Sequence, residues 1–151
     1  MIYSLYGQPA SGKTTLGKLL ANYFDTSFVI DGDEFRKMFV NENYEKDGRE
    51  LNISRANAAA TYLNKSQNKP VILCLVNPYS HLRDELKHYN PDSMQILLTS
   101  NRRRVQLSWD QTTQVEHYVK DFEVGNPDHS INTDREVEEV WKDFNKDIIG
   151  E

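Results

Sequence analysis

The run Gly7-Gln8-Pro9-Ala10-Ser11-Gly12-Lys13-Thr14 matches the pattern G-x-x-x-x-G-K-[ST], between a short apolar stretch, Ile2–Tyr6, and an amphipathic one, Thr14–Phe24. A strand, a glycine-rich loop and a helix in that order cradle a phosphate chain. The glycines let the backbone wrap closely round phosphate oxygens, so that several N–H groups point inward. The following helix turns its positive end toward the same anion. Lys13 can then reach the β- and γ-phosphates, and the Thr14 hydroxyl can ligate the magnesium that accompanies them. The expected ATP-binding set is Gly7, Gln8, Pro9, Ala10, Ser11, Gly12, Lys13, Thr14 and Thr15, with Lys13 also catalytic and Mg2+ as the second cofactor.

The rest of the chain suits a parallel α/β fold. Strand-like runs at Ile2–Tyr6, Ser27–Ile30, Pro70–Val76, Met94–Thr99 and Ser130–Asn132 alternate with helical segments at about Thr14–Phe24, Asp33–Val40, Arg49–Ser66, Ser80–Tyr89 and Asp134–Ile148. This alternation predicts a three-layer fold of the phosphate-loop NTPase type, a five-stranded, mainly parallel sheet covered by helices on both faces. At 151 residues the chain is the size of one domain, 1–151. The polar stretch Asn101–Asp128 reads as an irregular, lid-like segment, mobile until ligands bind. The single cysteine, Cys74, lies in the apolar run Val71–Val76 and reads as a buried strand residue rather than a nucleophile. The four histidines show no zinc-ligand spacing. A net charge of −5 argues against broad attraction to nucleic acid or to a membrane surface. The first strand begins at residue 2 and no apolar run approaches membrane-spanning length, so the expectation is a soluble cytoplasmic protein without a leader.

In an open parallel sheet, ligands sit beyond the carboxyl ends of the strands. Of those ends, only Ser27–Ile30 runs into carboxylates, in Asp31-Gly32-Asp33. Asp31 is the candidate magnesium partner beside Thr14. Asp33 is the candidate base that orients an acceptor hydroxyl and takes its proton. Either could instead cap the next helix.

Asp31-Gly32-Asp33-Glu34-Phe35-Arg36 resembles the D-G-D-x-x-R segment of the adenylylsulfate kinases, which phosphorylate the ribose 3′-hydroxyl of adenosine 5′-phosphosulfate with ATP. Further matches follow in order. Arg49-Glu50-Leu51-Asn52-Ile53-Ser54-Arg55 is similar to the family's R-x-E-N-I-R-R, and Val76-Asn77-Pro78-Tyr79 with Leu82-Arg83-Asp84 to its I-S-P-Y and following R-D. Ile131-Asn132-Thr133-Asp134 resembles its I-D-T. The resemblance implies a small-molecule acceptor held by Asp31, Asp33, Arg36, Arg49, Asn52, Val76 and Asn77, with its adenine against Tyr44. Lys120-Asp121-Phe122 resembles a remnant of the family's K-x-F-T-G lid, which puts Lys120 on the acceptor, and Arg102 and Phe122 on ATP. A homodimer is one assembly open to such a chain; the sequence does not decide it.

The departures are equally specific. Asn77 replaces the family's phosphorylatable serine, so transfer is expected to run directly from ATP to acceptor. Leu51 and Ser54 replace a glutamate and an arginine, and the lid is reduced. A different hydroxyl acceptor, such as a nucleoside or a polynucleotide 5′-end, is the alternative, and Arg102-Arg103-Arg104 lends it support. A nucleotide-binding module without catalysis is the third reading; keeping both Asp31 and Asp33 argues against it.

Overall fold

Ile2–Tyr6 forms β1, the central strand of the sheet, and its inward residues Ile2, Leu5 and Tyr6 have no exposed surface. The structure is a computed structural model and describes residues 1–150 except Trp109. Trp109, inside the expected lid, and Glu151 lie outside the described residues. After β1 come α1 (Lys13–Phe24), β2 (Val29–Asp31), α2 (Gly32–Met38), α3 (Lys46–Ser66), β3 (Val71–Leu75), α4 (Ser80–Tyr89) and β4 (Met94–Thr99). Then follow β5 (Arg104–Leu107), β6 (Gln114–His117), β7 (His129–Asn132) and α5 (Val137–Phe144), which ends in a π-helical turn, Asn145–Ile149. Five strands form one parallel sheet in the order β2-β3-β1-β4-β7, which is the phosphate-loop NTPase arrangement expected from the sequence.

Strand β3 shows why its sequence is apolar at every position. Val71, Leu73 and Leu75 point to one face and pack with Ile53, Ala56 and Ala60 of α3 and with Leu82 and Leu86 of α4. Ile72 and Cys74 point to the other face, onto Leu16 and Leu20 of α1 and Val140 and Phe144 of α5. Side chains alternate across a strand, so a strand covered on both faces has no polar register. Among the described residues no helix is long and apolar enough to cross a membrane.

Several boundaries differ from expectation, each for a local reason. Strand β2 starts at Val29, not Ser27, because the Thr26 hydroxyl accepts the Phe28 N–H and holds a turn there. Helix α2 stops at Met38, because Val40 takes a left-handed conformation, φ 51°. Helix α3 begins three residues earlier than Arg49 and passes through Gly48. Only glycine fits that position, since a Cβ there would lie 2.1 Å from the Asn43 carbonyl oxygen. Helix α5 begins at Val137 rather than Asp134, because the Asn132 side chain accepts the Asp134 N–H and closes a turn. The segment expected to be irregular contains an antiparallel hairpin, β5–β6, pairing Arg104 with His117 and Leu107 with Gln114.

Candidate active site

The phosphate loop runs from the end of β1 to the start of α1. Its first residue is fixed by close approach: a Cβ on Gly7 would lie 2.4 Å from the Leu98 carbonyl oxygen of β4. The Gly7 N–H bonds to the carbonyl of Val76, just beyond β3. Lys13 folds back over the loop, its ammonium donating to the carbonyls of Gly7 (3.0 Å) and Gln8 (2.7 Å) and to the Ser11 hydroxyl (3.2 Å). Burial there brings the ammonium down to about 8, against the opposing pull of Cys74, Asp33 and Asp31. The loop's far side is braced by Thr133, whose hydroxyl donates to the Ser11 carbonyl (2.6 Å). Arg102 donates to the Ala10 carbonyl (3.1 Å) and to Thr133 Oγ1 (2.8 Å).

Asp31 caps the next helix and at the same time stands beside the Thr14 hydroxyl. One carboxylate oxygen caps α2 by accepting the N–H groups of Asp33 (3.0 Å) and Glu34 (3.3 Å). The other accepts the Thr14 hydroxyl at 2.7 Å. A hydroxyl and a carboxylate oxygen side by side are hard donors of the kind magnesium takes, and magnesium takes few of them from protein, keeping waters and phosphate oxygens for the rest. Thr14 and Asp31 therefore fit the ion. Among the described residues no cluster of three or more His, Cys, Asp or Glu could hold a metal by itself.

A cavity of about 710 Å³ opens from this loop along the ends of β2 and β3, within the size range of small-molecule sites. Pro9, Ala10, Gly12, Lys13, Thr14 and Thr15 line one end, Asp31, Asp33, Arg36, Tyr44, Arg49, Asn52, Val76 and Asn77 line a second wall, and the hairpin segment, with Arg104 and His117, closes a third. Asp33, at the start of α2, meets Arg104 of the hairpin, Nη1 to Oδ2 2.5 Å. Arg104 is in turn held by the Gln106 side chain. Arg49 and Asn52 share one face of α3, as their spacing requires. Arg49 donates to the Tyr79 hydroxyl (3.2 Å) and pairs with Asp121 (3.1 Å).

Two amides in the wall are incompletely bonded. Asn52 donates to the Gly32 carbonyl, but its own side-chain oxygen is buried with no partner among the described residues. Asn77, left-handed at φ 48°, has neither amide atom paired among the described residues, while its backbone carbonyl accepts from the buried Arg83 at 2.7 Å.

Other expected residues are placed differently. Arg36 is 7 % exposed and braces the following turn through the carbonyls of Asn41 and Asn43, so it does not wait free for a ligand. Its guanidinium lies 4.1 Å from the Tyr44 ring centre, and the His117 ring leans on Tyr44 at 5.5 Å. Tyr44 is thus already covered rather than a bare stacking surface. Phe122 stacks on Tyr6 at 6.1 Å and Lys120 is exposed, and neither lines the cavity. The cause is the tether of this segment to the core. Gln8 exchanges two hydrogen bonds with the Val119 backbone, Glu123 N–H bonds to the Pro78 carbonyl, and the Tyr6 hydroxyl donates to the Val124 carbonyl. The triple arginine does not form one basic strip. Arg102 turns to the phosphate loop, Arg103 packs on Tyr118 and pairs with Glu116, and Arg104 reaches Asp33. A smaller cavity of about 80 Å³ lies on the Arg102 side of the loop, between Gly12, Thr15, Thr133, Arg135 and Val137.

Sequence reasoning did not single out Tyr79, Gln106, His117 or Asp121. Tyr79 and Asp121 entered only as parts of the I-S-P-Y and K-x-F-T-G likenesses, without a site role, and the hairpin residues become neighbours of the site only once β5 pairs with β6.

Comparison with known proteins places this geometry. The structure of the Mycobacterium tuberculosis APS kinase CysC in complex with AMPPNP and APS superposes with a TM-score of 0.70 at 15% identity, covering 95% of each chain. A gluconokinase from Sinorhizobium meliloti superposes with a TM-score of 0.62 at 16% identity, over 93% of this chain and 86% of that one. Shikimate kinase from Aquifex aeolicus gives 0.63 at 19% identity, over 99% and 97%. At these identities the likeness is one of fold. No curated protein sequence matches the chain. The family model described as adenylylsulphate kinase matches residues 1–111 of the 151, which include the phosphate loop, the Asp31–Arg36 segment and helix α3. The chain belongs to the adenylylsulfate kinase family.

Proposed function

We propose that this protein transfers the γ-phosphoryl group of ATP directly to the ribose 3′-hydroxyl of adenosine 5′-phosphosulfate. That it is an ATP-dependent phosphotransferase with a hydroxyl acceptor follows from its family. The observation that carries the finer reading is the meeting, in one cavity, of the Lys13–Thr14–Asp31 phosphate end with Asp33, Arg36, Arg49 and Asn52.

In this reading the triphosphate lies along the loop N–H groups, and Lys13 leaves the Gly7 and Gln8 carbonyls for the phosphate oxygens. The adenine of ATP lies on the Arg102 side of the loop, over the shallow hollow beside Thr133 and Arg135. Thr14 and Asp31 hold magnesium, which offsets charge on the phosphates when bound. The acceptor's anionic end lies toward Arg49, where a guanidinium can face two oxygens at once. Asp33 accepts the proton of the acceptor hydroxyl. The hydroxyl oxygen bonds to the γ-phosphorus as the bond to the β-phosphate oxygen breaks and ADP departs. Arg104 offsets charge on the transferring group.

Incubation with labelled ATP tests this, with adenosine 5′-phosphosulfate, gluconate, shikimate, adenosine and an oligonucleotide supplied separately. Labelled product from the phosphosulfate is expected, and product from another acceptor alone overturns the choice. In the same assay Asp33→Asn should lower turnover by about 10²-fold or more with little change in the KM for ATP. Wild-type turnover in that variant would leave Asp33 without a catalytic role.

One observation favours a second acceptor class. The Tyr44 ring is already engaged by Arg36 and His117, so an acceptor without a base to stack, a small hydroxy acid, would fit the cavity with less rearrangement.

A further inference from the structure

We infer that Asp121 is an internal stand-in for the acceptor's anionic group, which competes with that group for Arg49. The inference rests on the reading of the large cavity as the acceptor site. Arg49 projects from α3 into the cavity wall with a quarter of its side chain exposed, and its ion-pair partner is Asp121, 72 residues further along the chain. Both carboxylate oxygens are used: Oδ1 faces Arg49 at 3.1 Å and Oδ2 accepts the Tyr79 hydroxyl at 3.0 Å. Tyr79 also accepts from Arg49, so guanidinium, phenol and carboxylate close a three-membered ring of contacts. An anion that offers one oxygen to a guanidinium and another to a phenol is what an acceptor's phosphate or sulfate group would also present.

Asp121 itself is half exposed and is not needed to hold its segment down. That is done by the backbone bonds at Val119 and Glu123 and by the Glu123 carboxylate, which accepts the Ser80 N–H and hydroxyl. At the other end of the lid a lid cation, Arg104, rests on the site's carboxylate, Asp33. The lid therefore meets two cavity-lining side chains with charges of opposite sign: Arg104, itself in the lining, on Asp33, and Asp121, behind the lining, on Arg49.

The consequence is an exchange. An acceptor bearing an anion replaces Asp121 on Arg49, and the number of ion pairs is unchanged. A neutral hydroxyl compound can enter only by leaving Arg49 opposite Asp121, which keeps the position filled, or by leaving Arg49 unpaired. Asp121 thus holds Arg49 in the absence of acceptor and yields it only to a competing anion.

The test uses sodium sulfate as the anion, at constant ionic strength, with magnesium and ADP filling the phosphate loop. Wild type, Asp121→Ala, and Asp121→Ala combined with Arg49→Gln are titrated calorimetrically. Asp121→Ala should bind sulfate about two- to fivefold tighter than wild type, the factor an exposed ion pair is worth, and the added Arg49→Gln should abolish the gain. Sulfate binding that is unchanged or weaker in Asp121→Ala overturns the inference, because a carboxylate that merely supports Arg49 would weaken anion binding when lost. Asp121→Ala should also lower the KM for adenosine 5′-phosphosulfate, and a raised KM overturns the inference. A sulfate gain with no phosphorylation of the phosphosulfate keeps the exchange and sinks the acceptor proposed above.

Discussion

Lys13 is held by carbonyl oxygens that cannot compensate its charge, and burial brings it to about 8 from an ordinary 10.5. The unfolded chain keeps the ordinary value, so between about 8 and 10.5 the unfolded state holds more proton than the folded one. Folding is therefore penalised at neutral pH, and this penalty fades as pH rises through that window. Nucleotide reverses the balance, because phosphate oxygens favour the charged amine. At pH 8.5 the binding of magnesium and ADP should take up a fraction of a proton, visible as a dependence of binding enthalpy on the buffer's ionisation enthalpy. At pH 6.5 that share vanishes, and Lys13→Met removes it at both. Equal proton uptake by the variant at pH 8.5 would place the titrating group elsewhere. Asn77 carries a second expectation at this scale. It has no hydroxyl, so the intact mass after incubation with ATP alone should be that of the unmodified chain, and a stable phosphoenzyme would rule out direct transfer.

Two residues beyond the end of helix α2 a β-branched residue, Val40, is held at positive φ, a conformation that costs an L-amino acid roughly 1–2 kcal/mol. Val40 is exposed, so little packing is lost on its removal. Val40→Gly should raise stability by about 1 kcal/mol, seen as a higher denaturant midpoint at unchanged slope; a lower midpoint would mean the valine side chain holds the turn. The elements differ in how legible they were. Strand β3 stood out because burial on both faces makes it apolar throughout, and β1 and β4 because the same burial leaves each only one or two polar positions, Ser4 in β1 and Gln95 and Thr99 in β4. The phosphate loop stood out because its glycines answer to close backbone approach. The hairpin did not, since Arg104–Leu107 and Gln114–His117 are four residues each, half polar, and joined without a glycine or proline to mark the turn. In the cavity, Arg49 and Asn52 were readable together because helical spacing alone puts them on one face. The covering of Tyr44 was not readable, because it depends on His117, which comes to Tyr44 through the lid. Phe122 was misread for the same reason: three matching residues say nothing of the tethers that turn it onto Tyr6.

The lid joins the core at two separate places. Near its start the Asn101 N–H and the Ser100 hydroxyl bond to Asp134, and Arg102 bonds to Ala10 and Thr133. Near its end Val119, Glu123 and Val124 are bonded to Gln8, Pro78 and Tyr6. Between them the hairpin touches the site chiefly through side chains. Hydrogen exchange should therefore slow across residues 104–107 and 114–117 when ADP, magnesium and acceptor are all bound, with little change at residues 119 and 123–124, and unchanged exchange in the hairpin would show that it is not the moving part. Arg83 gives the second tether an unusual permanence. Only 2 % exposed, its guanidinium bridges the carbonyls of Asn77 and Glu123 over the ring of Tyr6. An arginine keeps its charge across the working pH range, so this join does not loosen on titration. A strap pinned at both ends can be relengthened in the middle at small entropic cost, about 0.6 kcal/mol per doubling of a flexible loop. Descendants of such a chain are free to exchange the hairpin for another and so change what they phosphorylate, while the phosphate loop, fastened to the far ends of the same strap, keeps its shape.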